Sequence, residues 1–233
     1  MRRVFVNSAL GNSFELDSTE HNHLANVTRA KIGEEVICIN GDAFDYHYKI
    51  TNISKSKTAL QFIKKQQNTS NPTAKVTIFL AAIKSDNLHL VITKLNEIGA
   101  SNLVLFNADR SNTSLKQINL IKCNAIAQQS CKQCGRSIPL MVSITNQEPQ
   151  EALKGYSQII FADECEKTNS MNKIKFINNC AIIIGAEGGF TPNERTKILA
   201  VKNVTPVTLG RRILRAETAC ITTATLAISQ LEI

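Results

Sequence analysis

Over residues 1–70 apolar positions come in short or alternating runs, at 3–6, 35–40, 46–50 and 58–63. That spacing predicts β-strands. Asn40-Gly41-Asp42 is a turn signal between two of them, and a short helix is predicted around residues 20–29. Several short strands in so little chain predict a small barrel. Residues 64–72 read Lys-Lys-Gln-Gln-Asn-Thr-Ser-Asn-Pro, with no apolar side chain and a closing Asn-Pro, which predicts a linker. A boundary there divides the chain into domains 1–70 and 71–233.

Beyond the boundary, buried strands alternate with helices. Residues 76–83 form a continuous apolar run. Leu88, Val91, Ile92, Leu95 and Ile98 then recur at helical spacing, with Gly99 placed to cap the helix. Residues 103–106, 158–162, 181–184 and 204–209 predict further strands, and 112–133 a long helix. Thr191-Pro192-Asn193-Glu194 opens a helix with Thr as N-cap, Pro at the first position and Glu at the third. A last apolar helix is predicted from about residue 216 to 231. Alternation of this kind predicts an α/β domain with a mainly parallel sheet covered on both faces.

The composition adds a modest bias. The chain has 233 residues, 27 Lys and Arg against 19 Asp and Glu, and a net charge of +8. Residues 1–70 carry 9 basic and 7 acidic side chains, a net of +2; residues 71–233 carry 18 and 12, a net of +6. No polybasic run concentrates the charge, so it is only a weak pointer to a polyanionic partner. The longest uncharged apolar stretches, such as 180–186, fall far short of the roughly 20 residues of a membrane span. The N-terminus, Met1-Arg2-Arg3-Val4, does not read as a signal peptide.

Seven cysteines, an odd number without a secretory signal, predict reduced thiols and a cytoplasmic location. Cys131-Lys132-Gln133-Cys134 has no second ligand pair at zinc-site spacing and falls at a helix end, where a redox motif is not expected. No metal is expected. G-x-S-x-G, G-x-G-x-x-G and P-loop patterns are absent, which argues against serine-hydrolase, dinucleotide and P-loop chemistry.

Two segments carry the chemical information. In Ile184-Gly185-Ala186-Glu187-Gly188-Gly189-Phe190-Thr191-Pro192 a buried strand runs into three glycines and a helix start. In parallel α/β sheets such turns lie where ligands bind; the bland alternative is a tight turn with no ligand. Leu209-Gly210-Arg211-Arg212-Ile213-Leu214-Arg215-Ala216-Glu217-Thr218 puts three Arg and one Glu between the last strand and the last helix. It is either an anion- or nucleic-acid-binding edge or a solvated basic loop, with Glu217 favoured only by the helix dipole. Residues 163–166, Asp-Glu-Cys-Glu, are either a solvated loop or one wall of a ligand site.

I-G-A-E-G-G-F-T-P-x-E (184–194) followed by L-G-x-R-I-L-R-A-E-T-A (209–219) resembles the RsmE family of 16S rRNA (uracil-N3)-methyltransferases, in the SPOUT superfamily. Gln133-Cys134-Gly135-Arg136, residues 94–100 and Asp109-Arg110-Ser111 resemble further family segments, so the likeness covers nearly the whole chain. Ala186, Lys132 and Ala216 stand where the family usually has Pro, Glu and Thr. The resemblance implies a PUA-like β-barrel joined to an α/β domain with a deep C-terminal trefoil knot, a feature outside the usual connection rules. It also implies a homodimer, S-adenosyl-L-methionine as cofactor, and as substrate the uridine at 16S rRNA position 1498 or its equivalent in the small ribosomal subunit.

On that basis Ile184, Gly185, Glu187, Gly188, Gly189, Leu209, Gly210, Ile213, Leu214 and Thr218 are expected to hold the cofactor. Arg215, Arg212 and Glu217 are the catalytic candidates: the arginines to favour an anionic uracil, Glu217 to orient an arginine or take the N3 proton. Arg2, Arg3, Arg29, Arg110 and Arg136 are expected to contact RNA. The competing readings are a SPOUT enzyme acting on ribose 2′-O or on tRNA, and an RNA-binding module without catalysis.

Overall fold

The structure is a computed structural model that describes residues 2–6, 10–16 and 18–232. The chain divides into two compact units, one of residues Met1–Asn71 with Gln128–Pro139, the other of Pro72–Ala127 with Leu140–Ile233.

In the first unit, β1 (Arg2–Phe5), β2 (Ser13–Leu16), β3 (Glu35–Ile39), β4 (Phe44–Ile53) and β5 (Thr58–Gln67) form one sheet in the order β1-β3-β4-β5-β2. β1 runs parallel to β3; the other pairings are antiparallel. Register shifts at His47/Tyr48 and Ile50/Asn52 bend the long hairpin. The sheet curls, because Val4 from one edge strand and Leu16 from the other share a core with Leu24, Val36, Tyr48, Ile50 and Leu60. A short helix, α1 (Ser18–Asn22), followed by a π-helical turn at His23–Val27, supplies Leu24.

Both faces of β3 are buried. Val36 and Cys38 face that core, while Ile37 and Ile39 pack with Phe5 against Cys131. This explains why residues 128–139 belong with the first unit. Lys132 Nζ meets Glu20 Oε1 at 2.8 Å, Asn68 Nδ2 donates to Gly135 O at 2.8 Å, and Asn71 Oδ1 accepts from Ser137 N and Ile138 N at 2.9 Å each. Cys131 therefore works as a packing residue, and Lys132 finds a carboxylate partner.

In the second unit, β6 (Val76–Ala81), β7 (Asn102–Phe106), β8 (Met141–Ile144), β9 (Gln158–Ala162), β10 (Cys180–Ile184) and β11 (Val204–Val207) form a sheet in the order β11-β9-β10-β6-β7-β8. Each pairing is parallel. The central strands β6 and β10 are buried throughout, as expected of a sheet covered on both faces. α6 (Ala216–Leu231) packs on β6, β10 and α2 (Ser85–Ile98). The apolar stripe predicted for α2 is the buried one, and Gly99 caps it at φ 111° with its N–H on Leu95 O. Cys180 and Cys220 are fully buried core residues.

Four differences from the sequence reading have local causes. Residues 64–67, read as linker, belong to β5, because pairing with Phe44–His47 holds a polar strand end that no apolar pattern marks. The long helix predicted at 112–133 is two elements: a single turn at Leu115–Gln117 capped by Ser114, then α3 (Leu120–Cys134). Asn119 separates them, its Oδ1 accepting from Lys122 N at 3.0 Å as an N-cap does. β2, β8 and α4 (Pro149–Ala152) had no legible signal at four residues each. The strand predicted at 204–209 ends at Val207, so Thr208 and Leu209 are already loop.

Candidate active site

Three loops, following β9, β10 and β11, converge at the C-terminal ends of neighbouring strands and line one cavity. β10 lies between β9 and β6, so the strand order reverses relative to the chain order beside this cavity. Such switch points leave a crevice for ligands.

The glycine turn after β10 is held from both sides. Phe190 anchors it in the core, edge-on to Phe161 at 5.2 Å and stacked on Phe106 at 6.3 Å between centroids. A Cβ on Gly188 would lie 2.9 Å from Arg110 Cβ and 3.1 Å from Arg110 O, so only glycine admits this approach. Gly189 adopts φ +67°, and a Cβ there would lie 2.5 Å from Glu164 Oε1. The capping box on α5 (Pro192–Leu199) is formed as predicted: Thr191 Oγ1 accepts from Glu194 N, and Glu194 Oε2 from Thr191 N. Glu194 is also buried and takes a third bond, from Asp109 N at 2.8 Å, while Thr191 Oγ1 donates to Asp109 Oδ2. This ties the Arg110 loop to the glycine turn.

Asp163, Glu164 and Cys165 of the acidic run, with Lys167, form the second wall. Asp163 is buried; its Oδ1 accepts from Cys165 N at 3.0 Å and its Oδ2 from Arg195 Nε at 2.8 Å. The bond to Asp163 and its charge push the Arg195 guanidinium pKa upward. Glu166 organises the rest of the loop, accepting from Asn169 N, from the Thr168 hydroxyl and N–H, and from Lys167 N. Those donors, Asn169 N–H foremost, draw its pKa down to about 2.

The arginine loop is the third wall. Arg211, Arg212 and Ile213 are exposed, and all three line the cavity. On α6, Ala216 and Ala219 face it. Helical geometry turns the two residues between them elsewhere: Thr218 is exposed outside the lining, and Glu217 is buried beside it. Glu217 Oε2 has no hydrogen-bond partner among the described residues, and Oε1 lies 4.0 Å from Nη1 of the exposed Arg215. A buried carboxylate oxygen without a donor is uncommon.

Of the residues expected to hold a cofactor, Ile184, Gly185, Gly189, Leu209, Gly210, Ile213 and Leu214 line the cavity. Glu187, Gly188 and Thr218 do not: Glu187 is exposed at the turn, Gly188 backs onto Arg110, and Thr218 is rotated away. Arg215 lies outside the lining as well. Among the expected RNA contacts, Arg29 and Arg110 are exposed, Arg110 donating to Gly188 O at 3.2 Å. Arg2 pairs with Glu34, and Arg3 makes a two-point pair with Asp45. Arg136 requires correction: it is 3% exposed and its Nε donates to Ile138 O, so it acts as an internal strut and has no surface to offer a phosphate. Sequence reasoning missed Phe190 and Arg195. Phe190 follows the turn as any core anchor would, and Arg195 reads as an ordinary surface position of α5.

Among the described residues no group of three His, Cys, Asp or Glu converges to hold a metal, and no helix is long and apolar enough to cross a membrane.

Residues 69–228 match the family model of an RNA methyltransferase domain, and residues 16–63 that of an RNA methyltransferase PUA domain. The chain is 28% identical over 229 residues to the ribosomal RNA small subunit methyltransferase E of Rickettsia conorii, covering 94% of this chain and 92% of that protein. It is 30% identical over 228 residues to the protein of the same name from Mesomycoplasma hyopneumoniae, covering 95% and 96%. A Legionella pneumophila protein solved with its bound cofactor SAM superposes with a TM-score of 0.87 at 21% identity, covering 97% of this chain and 96% of that one. That likeness establishes a shared α/β methyltransferase fold.

Proposed function

Because the chain belongs to the RNA methyltransferase family, we propose that it methylates N3 of a uridine in 16S rRNA, the m3U1498 equivalent, using S-adenosyl-L-methionine. The observation that carries the reading is the meeting of the glycine turn and the arginine loop on one cavity at the strand ends. The names of the relatives supply the small-subunit rRNA substrate. The reading includes a SPOUT-type deep trefoil knot in the segment that contains both loops. It also includes a homodimer, a cytoplasmic location and a PUA-like RNA-binding role for the first unit.

The cavity suits an adenosine-bearing ligand. Gly185, Gly189 and Gly210 put backbone on its wall, and Ile184, Val207, Leu209 and Leu214 give it an apolar flank. The cofactor supplies an electrophilic methyl group, and the protein supplies orientation and charge. Ile184, Gly185, Gly189, Leu209, Gly210, Ile213 and Leu214 hold the adenosine portion. Arg212, on the cavity, and Arg215, at its margin, favour the N3 anion of uracil and engage the neighbouring phosphate. Glu217, buried at the start of α6 with one oxygen unpartnered, orients Arg215; carboxylates are weak bases toward an imide N–H, so the orienting role is preferred.

Arg215→Ala and Glu217→Ala should abolish methylation while cofactor affinity stays within about three-fold, in line with an interaction made only in the transition state. Wild-type turnover in either variant would remove that residue from the mechanism. The deciding test is mass spectrometry of 16S rRNA from cells lacking the gene. Loss of N3-methyluridine at the 1498-equivalent position is expected, and its persistence overturns the assignment.

A further inference from the structure

Arg195 is a cavity residue that neither the glycine turn nor the arginine loop accounts for. It sits in the first turn of α5, and its Nε is committed to Asp163 Oδ2 at 2.8 Å. Asp163 is itself fixed, with a side chain only 3% exposed, one oxygen on Cys165 N, and its backbone N–H on Val207 O. The Arg195 side chain remains 36% exposed, and the residue lines the cavity. Its two Nη groups make no hydrogen bond to any described residue. A guanidinium tethered through Nε presents a rigid two-pronged edge, the geometry that matches a carboxylate.

The surroundings narrow the ligand. Lys167 is engaged with the Glu164 carbonyl and Arg211 and Arg212 are exposed on a loop, whereas Arg195 is a cavity cation anchored on a buried carboxylate. Glu164, next to Asp163 in sequence, reaches over Gly189 on the same wall. One oriented cation and one carboxylate together complement a zwitterion.

We propose that Arg195, held by buried Asp163, binds the α-carboxylate of the amino-acid end of the cofactor, with Glu164 on the side of its ammonium group. The assignment rests on the cofactor reading above and adds a residue to it. Asp163 is a positioning residue, since it acts through Arg195.

Calorimetric titration of the full-length protein tests this with two stable probes. S-adenosylhomocysteine keeps the amino-acid end, and 5′-methylthioadenosine lacks it. Arg195→Met should weaken S-adenosylhomocysteine about 10- to 100-fold, the size of a charge-assisted hydrogen-bonded contact, and change 5′-methylthioadenosine by less than about three-fold. Arg195→Lys, which keeps the charge and loses the fork, should fall between wild type and Arg195→Met. Since Arg195→Met leaves a buried Asp163 unpaired, the Asp163→Asn/Arg195→Met double variant is measured beside it and should show the same selective loss. Equal weakening of both probes, or unchanged S-adenosylhomocysteine affinity, overturns the assignment and leaves the methyltransferase reading standing. A wild-type protein that binds neither probe overturns both.

Discussion

Gly188 has two neighbours that leave no room for a side chain, Arg110 Cβ and Arg110 O. The contact is with backbone and a Cβ, neither of which can swing aside, so Gly188→Ala must push the two loops apart. A destabilisation of about 1–3 kcal/mol is expected, as for other overpacked sites, measurable as a lower urea midpoint. Gly189→Ala meets a different obstacle. Its nearest neighbour is the Glu164 carboxylate, the mobile end of an exposed side chain, so the cost comes mainly from φ +67° and should be about 1–2 kcal/mol. Gly189→Ala nevertheless displaces Glu164 from the wall, so its effect on ligand affinity should exceed that of an equally destabilising substitution elsewhere.

At the scale of elements, the start of α5 performs two tasks with one carboxylate. Thr191 and Glu194 cap the helix reciprocally, and Glu194 also receives Asp109 N–H from the loop after β7. Thr191→Ala removes the hydroxyl's cap bond and its bond to the Asp109 carboxylate, the latter between exposed groups, and should cost about 1 kcal/mol. Glu194→Ala also strands the Asp109 N–H and should cost about 2–3 kcal/mol. Urea unfolding of the two variants would show the difference; equal losses would mean that the bond from Asp109 N–H to Glu194 adds no more than the bond from the Thr191 hydroxyl to Asp109 Oδ2. The cap was legible in the order Thr-Pro-Asn-Glu, but its second partner lies 85 residues away and no local pattern announces it. The same limit explains the strand end at 64–67, whose polar residues owe their conformation to a hairpin partner.

Across the whole molecule, a net charge of +8 overstates the arginines free to meet a polyanion. Arg2 and Arg3 are paired and Arg136 is buried, whereas Arg29, Arg110, Arg211, Arg212 and Arg215 are exposed. If the substrate is rRNA, replacing one phosphate-contacting arginine of the exposed set by Gln should reduce the slope of log affinity against log salt by about one. Arg136→Gln should leave the slope unchanged and lower the melting temperature. Fluorescence anisotropy with a 16S rRNA fragment across a salt series separates the two outcomes. A slope that moves with Arg136 and not with the exposed set would invert this assignment.

The alternation of apolar runs with helical stripes determined the α/β character of the second unit and the burial of β6 and β10. It did so because strands covered on both faces must be apolar throughout. The two motif loops marked the site for a similar reason: a strand that ends in glycines exposes backbone, and an arginine-rich loop is costly to bury. Charge alone would not have found them. Only the tertiary structure decided which side chains face the cavity. Ile184 and Gly189 do while Gly188 does not, and Ala216 and Ala219 do while Thr218 does not, because turn and helix rotation separate neighbours in sequence. It likewise decided that Arg136 lies inside the protein and that Arg195 stands on the cavity wall. Arg195 is held there by Asp163, 32 residues away, through a contact that exists only once the sheet brings the ends of β9 and β10 side by side.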